Sequence, residues 1–387
     1  MARLMPSRKK HMTPSAAKTN AYVVTVNMGY GHQRAVYPLR TIAALPVDWN
    51  DSSSSTHIIS ANDYGGIPDQ DRTFWEGSRK AYETISRFKK VPIIGQKVFD
   101  LMDYFQRIQP FYPKRDLSKP TLQLRQIYAW IKKGWGKHLI DELNKEPLPY
   151  ITSFFATAFF AEEHGYKGDI FCICTDTDIS RAWAPLRPET SRIQYLAPNK
   201  RVKERLKLYG VREESIFVTG FPLPKENIGS PEQQEILREH LGCRISNLDP
   251  AGRYQEKYQE TLHAYLGERY CKLRPKHPLT ITFAVGGAGA QRDIGITILR
   301  SLRKKIAAQE VRLNLIAGAR GDVKDYYEKE LSALGLSDKE SSCIHVLFDP
   351  DKFTYFEKFN ELLQTTDILW TKPSELSFYA GLGLPII

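Results

Sequence analysis

The stretch Tyr22–Arg40, "YVVTVNMGYGHQRAVYPLR", combines a β-branched run with a glycine pair and a histidine. Val23, Val24, Thr25 and Val26 are short, apolar and β-rich, the pattern of a parallel strand buried on both faces. From Gln33 onward the chain can wind as a helix, so Gly29, Tyr30, Gly31 and His32 fall where strand becomes helix. Glycine at that turn admits a positive φ and lets a ligand approach the backbone, while free N–H groups at the helix start favour an anion or a polarised oxygen. A tight strand-to-helix turn without a ligand is the competing reading.

Outward from this turn the same alternation recurs. A serine-rich turn follows, then a short strand around His57–Ser60. "YITSFFATAFFAEEHG" reads as strand into helix, "DIFCICTDTD" as a buried strand ending in carboxylates, and "RIQYLAPNKRVKERLKLYGV" and "SIFVTGFPLP" as two more strands. Residues 21–224 therefore form one doubly wound α/β domain, and 225–278 are a polar helical connection between domains. A second alternation starts at "LTITFAVGGAGAQRDIGITILRSLRKKI" and occupies 279–387. It stops at "LPII", in what reads as mid-strand, so the second domain is expected to be incomplete. Residues 1–20 are polar and basic and read as a disordered arm.

With 387 residues, two domains are the natural expectation. The net charge of +11 asks for an anionic partner: nucleic acid, an acidic membrane surface or a phosphorylated substrate. Nucleic acid is the weakest of these, since the bases accompany no recognition module. Five cysteines, none in C-x-x-C spacing, suit a reducing cytoplasm and structural thiols. No window approaches the ~18 apolar residues of a membrane span, and the N-terminus lacks the apolar core of a signal peptide. Between Arg72 and Leu143, aromatic residues such as Phe74, Trp75, Phe111, Trp130 and Trp135 mix with many bases. That mixture suits ordinary core with a solvated face, or a surface lying on anionic lipid.

Three further features could carry chemistry. Gly286, Gly287 and Gly289 lie between an apolar strand and a helix, the order a phosphate cradle requires, though the motif is neither a Walker loop nor a full dinucleotide fingerprint. Asp176 and Asp178 close a buried strand and read as a D-x-D metal site, a general base or a helix cap. Arg181 and Trp183 offer an anion clamp and an apolar platform, or are surface and core. His32 stands apart from the other histidines because it lies in a glycine turn, where an imidazole near neutral pKa can take a proton from a hydroxyl.

Taken together, "NMGYGHQRA", "CTDTDISRAW", "IFVTGFPLP", "AVGGAGAQ" and "TKPSELSFYAGLGLPII" resemble, in order and spacing, the GT-B glycosyltransferases that use UDP-sugars. The resemblance is to the monogalactosyldiacylglycerol synthases, the processive diacylglycerol glycosyltransferases and MurG, and it covers most of Tyr22–Ile387. It implies two Rossmann-like domains facing a cleft, and metal-independent, inverting transfer of a hexose from a UDP-sugar to a lipid-like or other hydroxylated acceptor. His32, or Asp176, would be the base. Gly29, Gly31, Arg181 and Trp183 would face the acceptor, and Gly286, Gly287, Gly289, Gln291, Lys372 and Glu375 the donor. No cofactor, no metal and no nucleic acid are implied, and the setting is cytoplasmic, peripheral on the inner face of the membrane. Residues 225–278 would include the hinge for domain closure. The chain departs from the family at Phe378, which stands where a glutamate is usual, with Glu375 nearby. A UDP-sugar 2-epimerase on the same fold and a non-catalytic sugar-nucleotide or anionic-lipid binder are the alternatives.

Overall fold

The computed structural model describes residues 20–46, 48–49, 56–77, 108–285, 291–371 and 375–387. Two parallel sheets alternate with helices. In the first, Tyr22–Thr25 (β1), Ile59–Ser60 (β2), Tyr150–Thr152 (β3), Ile170–Ile173 (β4), Gln194–Ala197 (β5) and Ile216–Val218 (β6) lie in the order β2-β1-β3-β4-β5-β6. In the second, Leu279–Ala284 (β7), Val311–Gly318 (β8), Ile344–Phe348 (β9) and Ile368–Thr371 (β10) lie in the order β10-β7-β8-β9. Every residue of β1 is buried, which is why the strand reads as an unbroken apolar run.

Both sheets reverse direction beside their first strand. β1 pairs with β2 on one side and β3 on the other, and β7 pairs with β8 and β10. Chains leaving such a reversal diverge and open a crevice at the carboxyl ends of the strands, where open α/β sheets bind ligands. The first glycine turn leaves β1 at one reversal. The second glycine motif follows β7 at the other; Gly286, Gly287 and Gly289 themselves lie outside the described residues, as does Lys372 after β10.

The carboxyl ends of the two sheets face each other across α1 (Tyr30–Val36). Tyr30 Oη accepts from the Ala319 amide beyond β8 (3.0 Å), Lys352 beyond β9 donates to Asn27 Oδ1, and Glu375 beyond β10 pairs with Arg34 (2.9 Å). Tyr30 and Tyr37 accordingly pack in one core with Phe356, Phe359 and Phe378. Two Rossmann-like α/β bodies thus meet across α1.

The connection after β6 is helical, and it docks on the second body. Arg244, buried in the helix Glu235–Leu248, donates to the carbonyls of Thr366, Leu382 and Gly383. Asn227 donates to the carbonyl of Asn360.

The aromatic stretch is split. Trp75 and Trp135 are buried and pack edge-to-face at 4.8 Å, and Trp135 meets Phe160 at 4.8 Å. Those rings are core, so they are not lipid anchors; residues 78–107 lie outside the described residues. Among the described residues, no helix is long and apolar enough to cross a membrane.

Gly242 tests the docking of the connecting helix, because a Cβ there would meet the carbonyl oxygen of Tyr270 at 2.2 Å. Alanine gains about 1 kcal/mol of helix propensity, yet the backbone clash outweighs it. Gly242→Ala should lower stability by about 1–3 kcal/mol in denaturant titration; a stabilised variant would show that the contact is absent.

Candidate functional site at the carboxyl ends of the strands

Gly29 takes φ 113° at the start of α1, a conformation that side chains resist, and it turns the chain sharply from β1 into the helix. Gly31 lies within the helix's first turn. The turn delivers His32 to the β1/β3 reversal, where its Nδ1 lies 2.8 Å from the carbonyl oxygen of Ser153, just beyond β3. A carbonyl only accepts, so Nδ1 carries the proton and Nε2 is left with its lone pair. Phe154 packs edge-on to the imidazole at 5.0 Å and Trp183 lies at 6.4 Å. Burial among these groups holds the histidine down to about 4, against a smaller opposing pull from the Ser153 carbonyl. Ser153 is fixed in turn, its hydroxyl 3.0 Å from Thr25 Oγ1 and its amide donating to Val24 O. Sequence reading missed Ser153 because the pair spans 121 residues.

The two aspartates beyond β4 have different fates. Asp178 accepts from Arg205 (2.8 and 2.9 Å), Arg201 (3.1 Å) and its neighbour's amide. Burial works to raise its pKa, but the arginines win and lower it. With both oxygens held by arginines, Asp178 is no half of a D-x-D metal site. Among the described residues, no group of three or more metal-binding side chains occurs. Asp176 makes no hydrogen bond or ion pair among the described residues, keeps an exposed face, and has its pKa raised by partial withdrawal from water.

Two expectations need correction. Arg181 is no anion clamp: its guanidinium is buried and spent on the carbonyls of Ser118 (2.8 Å), Ala184 (2.6 Å) and Pro185 (3.0 Å). It braces the turn that sets Trp183 against His32. Glu375 is not free to hold a ribose: Oε1 takes Arg34 Nε at 2.9 Å and Oε2 accepts from Tyr379 at 2.9 Å. Arg34 also donates to Asn360 (2.8 Å) and lies over the rings of Phe356 (3.9 Å) and Phe378 (4.6 Å). Phe378 thus serves the Arg34 clasp. Gln291, with φ 64°, stands at the position before the helix Arg292–Ala307, its side chain exposed and making no capping hydrogen bond to the helix among the described residues.

A family described as "Domain of unknown function (DUF6938)" matches residues 333–382. No curated protein matches the chain by sequence. Among solved structures, the UDP-GlcNAc 2-epimerase from Neisseria meningitidis bound to UDP-GlcNAc is similar at 13% identity and a TM-score of 0.41, over 95% of this chain and 82% of that one. The S. aureus MnaA–UDP co-structure is similar at 13% identity and a TM-score of 0.35, over 77% of this chain and 68% of that one. At these values neither neighbour bears on which residues act.

Two outcomes are expected. Glu375→Ala leaves the fully buried Arg34 charge unpaired and should cost about 3–5 kcal/mol of stability; a change below about 1 kcal/mol would show that the pair is not formed. His32 should make the fold acid-sensitive in a defined window. Its ordinary pKa is 6.5 and its folded value about 4, so as pH falls from 6.5 the unfolded chain gains a proton that the folded chain refuses. Stability drops across that window and the contribution levels off below about 4. His32→Asn should flatten the difference, read as urea midpoints of both proteins at several pH values.

Proposed function

We propose that this chain is a UDP-sugar-dependent glycosyltransferase of the GT-B type, with His32 as general base for an acceptor hydroxyl. The observation that carries the proposal is the neutral, tautomer-fixed imidazole of His32 at the carboxyl-end reversal of the first sheet. The sequence resemblance in the two glycine motifs supports it, and the topology puts the strands that lead into both motifs at reversal points.

The chemistry balances as an inverting displacement. Nε2 of His32 takes the proton of the acceptor hydroxyl, the acceptor oxygen forms a bond to the anomeric carbon, and the bond from that carbon to the diphosphate oxygen breaks. UDP leaves with the electron pair. At a pKa near 4 the imidazole is unprotonated at neutral pH but weakly basic. A diphosphate entering the cleft raises that value by charge attraction and strengthens the base when substrate is present. Asp176, accessible at the next strand end, is the second candidate for this step.

The test is UDP release from UDP-glucose, UDP-galactose and UDP-GlcNAc with a panel of sugar and lipid acceptors. Acceptor-dependent release is expected, with His32→Ala lowering kcat by about 10²–10⁴-fold while UDP binding persists. Absence of both UDP release and UDP binding would overturn the proposal. Conversion of UDP-GlcNAc to its 2-epimer without any acceptor would replace transfer by epimerisation.

A further inference from the structure

On the β2 side of α1 an open cleft of about 810 Å³ lies between the first sheet and the Pro350–Phe353 turn of the second body. That volume is within the range of small-molecule sites. His32 does not line it, so the cleft is distinct from the histidine site.

Its walls are rich in acceptors. Gln33 is 6% exposed, and its Nε2 donates to Asn27 Oδ1 at 3.4 Å. Asn27 Oδ1 also receives the Lys352 ammonium, which can only donate, so the orientation of Asn27 is settled. Gln33 must then present Nε2 to it, and Gln33 Oε1, itself buried behind the cleft wall, has no hydrogen-bond partner among the described residues. Asp63 adds an exposed carboxylate with no side-chain hydrogen bond among the described residues, and the Ser60 hydroxyl donates to Asn62, which leaves its oxygen able to accept. Such a set asks for a ligand that brings many donors.

The apolar part is a rigid platform. Trp49 stacks on Tyr64 at 5.0 Å and 8°, and Tyr64 stacks on His138 at 5.9 Å and 17°. Trp49 Nε1 is held by Glu142 and Tyr64 Oη by His138 Nδ1. Charge argues against an anion: Arg72 and Lys352 are outnumbered by Asp48, Asp63 and Asp351, and burial lowers the Lys352 pKa against the pull of Asp63. Hydroxyl-accepting groups around flat aromatic rings suit a neutral ring with polar edges and apolar C–H faces.

We infer that this cleft binds a neutral carbohydrate, held between the two bodies through Gln33, Ser60 and Asp63 and packed on Trp49 and Tyr64. The inference does not depend on the transferase proposal, because it concerns binding at a separate site.

The experiment uses the whole chain with N-acetylglucosamine, glucose and chitobiose as probes, and UMP and inorganic phosphate as anionic counter-probes. Binding is followed by tryptophan fluorescence, with Trp49→Phe as the control, and by saturation-transfer NMR. Saturable binding of at least one saccharide is expected, weakened about tenfold by Asp63→Ala and by Gln33→Met. Asp63 is exposed, so its variant should fold normally. No saccharide binding, binding indifferent to both substitutions, or phosphate binding with the same residue dependence would overturn the inference. Loss of UMP binding alone would leave it standing and count against the transferase proposal.

Discussion

The buried pair between Arg34 and Glu375 is the constraint on which the arrangement of the two bodies rests. Arg34 is fully buried, bonded to Glu375 and Asn360, and covered by the faces of Phe356 and Phe378. Taking these charges out of water is costly; hydrogen bonds and ring faces replace most of the lost solvent, while Arg34 Nη2 has no hydrogen-bond partner among the described residues. The consequence is geometric: α1 cannot rotate or slide without exposing or orphaning a charge. One short helix thereby serves three neighbours, with Tyr30 and Arg34 toward the second sheet, His32 toward β3, and Gln33 toward the cleft beside β2.

Burial also sorts the ionisable groups around this helix. His32 is kept neutral by the same low-polarity surroundings that make the Arg34 pair costly to break. Two residues of one motif, Asp176 and Asp178, diverge because only the second meets arginines from the Lys200–Leu208 helix. The outcome is one carboxylate fixed as structure and one accessible at a strand end. The charge excess of the whole chain says nothing about this division, which is made within a few ångströms.

Strands and glycine turns were legible in the residues because their signals are local. A parallel strand buried on both faces is largely apolar along its length, as in β1, and a sharp exit from it needs a glycine such as Gly29. His32 was legible for the same reason, since it sits inside the turn that places it. Arg181 and Glu375 were misassigned because their partners are remote: 63 residues separate Arg181 from Ser118, and 341 separate Glu375 from Arg34. A charged residue in a motif looks free until the fold brings up the carbonyls or the counter-charge that occupy it. Ser153 and the Trp49–Tyr64–His138 stack left no sequence signal, since their meaning is entirely in who faces whom.

The amino-acid order thus carried the α/β alternation, the glycine exit from β1 and the place of the histidine beside it, because each follows from backbone preference and burial over a few residues. Which side chains remain available for chemistry was settled by packing. Arginines and carboxylates are long and strongly solvated, so whether they bind a ligand or brace the protein depends on the desolvation and partners found only when the two sheets meet across α1.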